Sequence, residues 1–241
     1  MSVRRRDILQ GSLSASVLLL TAPAGLLMGK AAAAGIAVRS SGSGTRRILL
    51  LRSTGDDAFA RPALEVALRN GFSPVESLAL NEQLVRSPGG IANVLSQSRG
   101  ARLVGIMDDC AATLLEEALR DQGGSVLCRG HHRGVLHEAA ASRHAFMTTG
   151  TTRGIGGTLA RALAAHDAEF LVQEHAPFDD GVEVRDGCSL PVAPWPQVLG
   201  SAYALMAAGL WTAGPVRAEQ RRGTPAEPPR SQAFVSLVAE I

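Results

Sequence analysis

The stretch from residue 102 to residue 129 constrains the fold more than any other part of the chain. It contains an apolar strand pattern, RLVGIM at 102–107, then a helical pattern, AATLLEEALRDQ at 111–122, then a second strand pattern, SVLCR at 125–129. Leucines and alanines recur along one helix face, and two glycines end the helix. A strand, a helix and a strand with short links are typical of a right-handed crossover between parallel strands. This stretch therefore predicts an α/β fold.

The rest of the chain extends this pattern. Further strands are predicted at 47–51 and 145–148, and helices at 59–70, 91–98, 135–142, 156–174 and 198–211. In an alternative interpretation the stretch 156–174 ends in a strand at 169–172. We predict a single α/β domain over residues 46–212, with three layers and a mostly parallel sheet built from βαβ crossovers, either Rossmann-like or flavodoxin-like. Residues 213–241 are rich in proline and charge, which predicts a poorly ordered tail.

Composition excludes some classes of function. Hydrophobic residues make up 46% of the chain and charged residues 19%, which argues against disorder throughout. The net charge is only +2 and aromatic residues are 4%, without a basic stripe interleaved with aromatics, so nucleic-acid binding has little support. Lys30 is the only lysine. A mature protein that lacks residues 1–34 therefore has no lysine for a general base or a Schiff base.

The first 34 residues have the three parts of a targeting segment. Arg4, Arg5 and Arg6 are followed by a weakly apolar stretch and then by the alanines at 31–34, which suit a cleavage site. The sequence RRDIL at 5–9 resembles the twin-arginine (Tat) export signal. The alternatives are an ordinary secretory signal, an uncleaved anchor or a structural helix. Residues 35–46, rich in Gly and Ser, are predicted to be a linker.

The Tat resemblance implies a cellular location and a partner. The route carries folded proteins, so the Tat machinery is an expected partner and the periplasm or the extracellular space is the expected location. Proteins that use it load a cofactor inside the cell, fold too fast for other routes, or travel bound to a co-exported protein. The apolar stretch is short and interrupted, so we expect no stable membrane span in the mature chain.

Glycines follow the predicted strand at 145–148 in the pattern T-G-x-x-x-G-x-G, and a helical pattern comes after them. This stretch resembles the glycine motif of the short-chain dehydrogenase/reductase family. The resemblance implies an NAD(P) cofactor, with its phosphates held by Thr149, Gly150, Gly154 and Gly156 and a 2′-phosphate favoured by Arg153. The family's catalytic Tyr-x-x-x-Lys is absent, which excludes an intact member. The alternative is a plain strand-to-helix turn.

Two other groups of residues follow predicted strands. Asp108, Asp109 and Cys110 come after the strand at 102–107, where a carboxylate can bind a ribose, act as a base or simply cap the next helix; we favour the cap. His131 and His132 come after the strand at 125–129, with Cys128 and His137 nearby, and these are ligand types of zinc and copper sites. Adjacent histidines point apart, which favours solvated loop histidines instead.

Three functions fit these features. The first is an accessory or binding protein, exported folded and without an assembled catalytic set. The second is a nucleotide-dependent oxidoreductase-like enzyme that is exported with its cofactor bound. The third is a carrier or sensor for a small ligand or a metal. No G-x-S-x-G, H-E-x-x-H or P-loop motif occurs to decide among them.

Overall fold

The computed structural model describes residues 47–52, 57–72, 75–87, 89–134, 141–176, 190, 192–216, 219–223 and 232–241. The predicted signal at 1–34 and the linker at 35–46 lie outside these residues, as do the first six residues of the helix predicted at 135–142. None of the helices in the described ranges is both long enough and apolar enough to cross a membrane.

The described part of the chain contains eight strands and six α-helices. The strands are β1 (Ile48–Arg52), β2 (Val75–Ala79), β3 (Arg102–Met107), β4 (Ser125–Gly134), β5 (Ser142–Thr148), β6 (Phe170–His175), β7 (Glu219–Arg222) and β8 (Gln232–Glu240). The helices are α1 (Asp57–Arg69), α2 (Glu82–Arg86), α3 (Gly90–Gln97), α4 (Asp109–Asp121), α5 (Ile155–Ala165) and α6 (Trp195–Ala207). Most predicted elements are therefore present.

The strands form one mixed sheet in the order β2-β1-β3-β8-β4-β5-β6-β7. Only three of the neighbouring pairs are parallel, namely β1–β2, β1–β3 and β5–β6, whereas the other pairs are antiparallel. The α/β class is confirmed, but the expectation of a mostly parallel sheet does not hold. Strands β3 and β4 do run in the same direction around α4, but β8 lies between them and pairs antiparallel with both.

The C-terminal residues account for this difference. Residues 213–241 were expected to form a poorly ordered tail. That expectation is wrong for residues 219–222, which form the edge strand β7, and for residues 232–240, which form the central strand β8. Val235, Leu237, Val238 and Ala239 are at most 1% exposed. The prolines ahead of β8 predicted disorder. The nine residues of β8 nevertheless form a buried strand, because their side chains point alternately into the apolar cores on the two faces of the sheet.

Helices cover the sheet on two sides, so the predicted three-layer arrangement is present. Residues of α1, α5 and α6 pack with one sheet face, and residues of α3 and α4 pack with the other. The helix predicted at 156–174 is shorter than expected, because α5 ends at Ala165 and the chain turns through Asp167, whose φ is 59°. The alternative that this stretch ends in a strand near 169–172 is confirmed by β6. Ser142, expected at the end of a helix, begins β5.

Candidate functional site

The glycine turn joins β5 to α5 through a single 3₁₀ turn at Gly150–Thr152. A β-bulge in β4 between Val126 and Cys128 helps to position it. The carbonyl of Leu127, within the bulge, accepts hydrogen bonds from the Thr149 amide at 3.0 Å and from the Thr152 hydroxyl at 2.7 Å. The turn is therefore attached to the neighbouring strand before α5 begins.

The amides of this turn bind a side chain of the same protein. Glu174, on β6, accepts hydrogen bonds from Gly154 N–H at 2.7 Å, from Gly156 N–H at 2.9 Å and from the Thr148 hydroxyl at 3.1 Å. Its residue surface is 1% exposed. The first amides of a helix carry partial positive charge and favour an anion. In this fold the anion at the N-terminus of α5 is the Glu174 carboxylate.

Opposing effects act on the proton of Glu174. Burial raises the pKa of its carboxyl above the usual value, because the charged form loses water. The hydrogen bonds from Gly154, Gly156 and Thr148, together with the charge of Arg153, lower the pKa and oppose the effect of burial, which remains larger. Both oxygens of the buried carboxylate therefore accept at least one hydrogen bond.

Internal packing explains two positions of the glycine pattern, the left-handed Gly154 and the crowded Gly156. Gly154 has φ of 85°, and a Cβ there would lie 2.6 Å from the Cα of Gly214. A Cβ on Gly156 would lie 2.9 Å from Glu174 Oε2 and 3.3 Å from Val172 Cγ1. Both positions therefore require glycine for backbone conformation and close approach, whether or not a nucleotide binds.

The remaining residues predicted to bind a cofactor lie in the same turn. Gly150 is buried, Thr149 is bonded to Leu127, and the Arg153 carbonyl accepts from the Trp211 indole at 3.0 Å and from the Gly214 amide at 3.1 Å. The structure thus brings all five predicted residues into one turn. Nucleotide binding there stays a prediction, to which the geometry adds a condition: a phosphate that uses the Gly154 and Gly156 amides has to displace Glu174.

Asp108, Asp109 and Cys110 lie at the opposite end of the strands from the glycine turn. They follow the C-terminal end of β3, and β3 runs antiparallel to β5. The Asp108 carboxylate accepts from the Ala111 amide at 2.8 Å, which confirms its interpretation as the cap of α4. Asp109 and Cys110 are exposed in the first turn of α4, and Cys110 is a free thiol.

His131 and His132 are within β4 rather than in a loop beyond it. Neighbouring residues of a strand point to opposite faces, and accordingly His131 is exposed whereas His132 is 1% exposed. The pair therefore cannot bind a single ion from one side of the sheet, and the interpretation as solvated loop histidines is wrong for His132. Among the described residues no group of three His, Cys, Asp or Glu side chains is placed to hold a metal.

Sequence reasoning missed a continuous buried hydrogen-bond chain, although it named two of its members, His132 and Cys128, as metal-ligand types. Its six members, in spatial order, are Ser142, His144, His132, Ser236, Tyr203 and Cys128, and each is at most 2% exposed. The five contacts measure 2.9 Å for Ser142 Oγ–His144 Nε2, 2.9 Å for His144 Nδ1–His132 Nδ1, 2.5 Å for His132 Nε2–Ser236 Oγ, 2.7 Å for Ser236 Oγ–Tyr203 Oη and 3.6 Å for Tyr203 Oη–Cys128 Sγ.

Strand register and one glycine bring this chain together. His132 lies opposite His144 in the β4–β5 pair, and Gly130 lies opposite Ser236 in the β4–β8 pair. A Cβ on Gly130 would lie 2.6 Å from His132 Nε2 and 2.7 Å from Ser236 Oγ. Because Gly130 has no side chain, the His132 ring folds back along its own strand and reaches the serine of β8.

The proton count closes when all six groups are neutral. The thiol of Cys128 can donate to Tyr203, Tyr203 to Ser236, and Ser236 to His132 Nε2; His132 Nδ1–H then donates to His144, whose Nε2–H donates to Ser142. Reversing every donor gives a second arrangement, in which Ser142 donates first and Cys128 accepts last. In both arrangements each of the five contacts joins one donor to one acceptor, so the hydrogen bonds can run in either direction.

The surroundings hold these groups in their neutral forms. The His132 ring stacks on Trp195, with centroids 5.3 Å apart, and meets the edge of Phe146 at 5.4 Å. Burial lowers the pKa of His144 to about 3 and that of His132 well below its usual value, with His144 and His131 adding to the effect on His132. Burial likewise raises the pKa of the Cys128 thiol to about 12.

This buried hydrogen-bond chain contains a nucleophile, a base and an orienting group in contact with one another. Ser236 meets His132, and His132 meets His144, in the order that activates a serine in hydrolases. Each of these side chains is nevertheless enclosed by the core, with Ser236 at 0% exposure. In this conformation a substrate does not reach these side chains. Their hydrogen bonds instead fix how β4, β5, β8 and α6 pack together.

The protein-family models, the curated proteins and the solved structures with which the chain was compared contain no match to it.

Proposed function

We propose that this chain is a folded accessory or binding protein, exported by the Tat route to the periplasm or beyond, and not a nucleotide-dependent enzyme. One observation carries the second half of the proposal. The carboxylate of Glu174 already takes the Gly154 and Gly156 amides that a bound phosphate needs. Because Glu174 of β6 occupies the anion site, the turn holds β5, β6 and the start of α5 together.

Export rests on the residues before the folded unit. Arg5 and Arg6 carry the Tat resemblance. The described residues from 47 onward form one sheet with helices packed on both faces, which suits a route that carries folded cargo. The Tat machinery and a co-exported protein are accordingly the proposed partners.

The test of the accessory role is a search for a bound small molecule. The chain with Arg5→Lys and Arg6→Lys is purified from the cytoplasm, denatured, and its supernatant examined by mass spectrometry alongside metal analysis. The proposal expects neither a stoichiometric nucleotide nor a stoichiometric metal. Released NAD(P) would favour the oxidoreductase-like alternative, and a stoichiometric metal would favour the carrier alternative; either result overturns the accessory role.

Export is tested separately, by locating the unaltered chain and the Arg5→Lys, Arg6→Lys chain in cell fractions. We expect the unaltered chain outside the cytoplasm and the double variant inside it. A double variant exported in normal amounts would contradict the Tat proposal and would leave the binding role to be judged on the small-molecule search alone.

A further inference from the structure

The beginning of α6 lies against the two buried histidines. Trp195 is the first residue of α6, and its ring centroid is 5.3 Å from that of His132 and 5.1 Å from that of His144. All three side chains are at most 2% exposed. The histidines are therefore packed beside the N-terminal end of α6, where the backbone amides of a helix carry partial positive charge.

The helix offers no negative charge to a protonated histidine. None of the residues of α6 is charged, and its first turn contains no Asp or Glu. Its only titratable side chain is Tyr203, a member of the buried hydrogen-bond chain. The N-terminal end of a helix favours anions and disfavours cations, because of the direction of the helix dipole. A positive charge on His132 or His144 therefore weakens the packing of the first turn of α6 on the sheet.

The strands around the pair do not supply a compensating charge either. The charged or titratable neighbours on β4 and β5 belong to the opposite face of the sheet, and they are Arg129, His131, Arg133 and Arg143. The charge of His131 also opposes protonation of His132. On β8 the only charged residue is Glu240, at the far end of the strand, where it pairs with Arg102.

A carboxylate on the same face of the sheet belongs to Glu174 of β6. It accepts hydrogen bonds from the glycine turn and from the Thr148 hydroxyl. Thr148 is four residues beyond His144 in β5, which is about 14 Å along a strand. The remaining titratable groups on this face, Cys128 and Tyr203, have pKa values that burial raises, so both are neutral. The histidine pair thus has no negative partner on any element packed against it.

The contact between the two rings accepts one additional proton but not two. His132 Nδ1 and His144 Nδ1 are 2.9 Å apart, so one of them has to accept the proton that the other donates. With one added proton this hydrogen bond persists, and the hydroxyl of Ser236 or Ser142 accepts from the charged ring. With two added protons both Nδ1 atoms carry hydrogen, and the rings have to separate. Full protonation of the pair is therefore incompatible with this packing.

We propose that His132 and His144 form an acid switch that releases the first turn of α6 from the sheet while the sheet stays intact. The sheet persists because its backbone hydrogen bonds run between strands and not to α6. Release gives both rings access to water, which favours their charged forms. Burial lowers the pKa of His144 from 6.5 to about 3, so the open form gains on the closed form as the pH falls through this range.

The acid switch goes beyond the proposed accessory role and does not depend on it. It is a property of the folded chain, and both the small-molecule search and the export test can fail without altering it. The proposed location outside the cytoplasm gives the switch a use, because a protein there meets the pH of its surroundings. In acid, Trp195 and the apolar residues beneath the first turn of α6 become accessible, whereas at neutral pH they are covered.

The test is hydrogen exchange of the full-length chain from pH 7.5 to pH 4, read by mass spectrometry and corrected for the intrinsic exchange rate at each pH. Peptides from the first turns of α6 report the switch, and peptides from β3 report the sheet. Fluorescence quenching gives a second readout of Trp195 in the Trp211→Phe chain, because Trp211 is the only other tryptophan.

The variants remove one titrating ring at a time. His144→Asn keeps a polar group near His132 Nδ1, and His132→Gln keeps one near Ser236, but neither amide titrates. The matched control is His131→Ala, on the exposed face of the same strand. Circular dichroism at pH 7.5 checks that each variant is folded.

Below pH 6 we expect the opening constant of the first turn of α6 to rise about a hundredfold per pH unit, because opening takes up two protons, while β3 stays protected. Each histidine variant should reduce the rise to about tenfold per pH unit, because one proton remains, and His131→Ala should leave it unchanged.

Two results from the unaltered chain would overturn the inference. One is a loss of protection in α6 and β3 together, which is global acid unfolding, and the other is a first turn that stays protected down to pH 4. Both can be read even if a histidine variant fails to fold. A folded His144→Asn or His132→Gln chain with the full pH dependence would also overturn it, because opening would then not depend on the pair.

Discussion

Each face of β4 carries one histidine, and the two histidines differ completely in exposure. On one face His132 is buried between Trp195 and Phe146 and is hydrogen-bonded at both nitrogens. On the other face His131 is exposed between two arginines. Polarity alone therefore does not decide which side of this strand is interior. The buried face is possible because β5, β8 and α6 supply a partner for each polar atom, and an unpaired buried polar group costs about 1–3 kcal/mol.

The first prediction breaks the buried face directly, and has the largest expected effect. His132→Ala should lower the free energy of unfolding by about 4 kcal/mol, because it leaves a cavity under Trp195 and removes the partner of His144 and Ser236. The matched change His131→Ala should alter it by less than about 0.5 kcal/mol. Urea denaturation measures both. Similar losses for the two variants would contradict the contrast between the faces.

Acid sharpens the same contrast without a mutation. The buried histidines have lowered pKa values, so the unfolded chain binds more protons than the folded one below pH 6.5, and stability falls as the pH falls through that range. His144 alone should account for about 2 kcal/mol between pH 7.5 and pH 5, with a loss of the same sign from His132. Glu174, whose pKa is raised, acts in the opposite direction above its usual value of 4.5.

The measurement is urea denaturation of the unaltered chain and of His131→Ala at pH 7.5, 6 and 5. We expect both proteins to lose stability alike, because the exposed histidine does not drive the effect. If stability stayed constant or rose as the pH fell from 7.5 to 5, His132 and His144 would be able to bind protons in the folded state, which would contradict this prediction.

Two adjacent glycines of α5 extend the comparison to the glycine turn. Gly156→Ala should cost about 2 kcal/mol, because the added Cβ meets Glu174 Oε2 at 2.9 Å. Gly157→Ala should be neutral or stabilising by up to about 1 kcal/mol, because the nearest atom is 3.5 Å away and alanine favours a helix. Thermal unfolding compares the two. A larger loss for Gly157→Ala would place the crowded side of the helix elsewhere.

The smallest effect on stability is expected for an exposed ion pair on α1. Arg69→Ala should change the free energy of unfolding by less than about 0.5 kcal/mol, since Arg69 Nη2 and Glu65 Oε2, 3.5 Å apart, are both exposed to solvent. Chemical denaturation at low and high salt checks this. A loss of several kcal/mol would contradict the contrast between exposed and buried polar groups.

Local patterns predicted the individual elements well. Strands β1 and β3, helices α1, α3 and α4, and the capping role of Asp108 follow from residue spacing within single segments, and the structure contains them. The opposite directions of His131 and His132 follow from strand alternation alone. The sheet could not be predicted in the same way, because its central strand β8 comes from residues whose neighbours lie far away in sequence.

The candidate sites show the same limit. The glycines, the threonine and the arginine of the turn are recognisable as a group, but Glu174, which occupies their amides, is not marked by any local motif. The buried chain joins His132 to Ser236 across 104 positions and to Tyr203 on a helix. A signal was present in the pattern of Gly130, His132 and Gly134, which alternate on one face of β4. Its meaning depended on which strands became neighbours.

The amino-acid sequence by itself determined the α/β class, most of the helices and strands, and which residues of each strand share a face, because these depend on backbone geometry over a few residues. Only the tertiary structure decided that β8 enters the centre of the sheet, that Glu174 fills the glycine turn, and that His132 is interior while His131 is exposed. The physical reason is that burial of a polar group is favourable only when distant parts of the chain bring donors and acceptors to meet it.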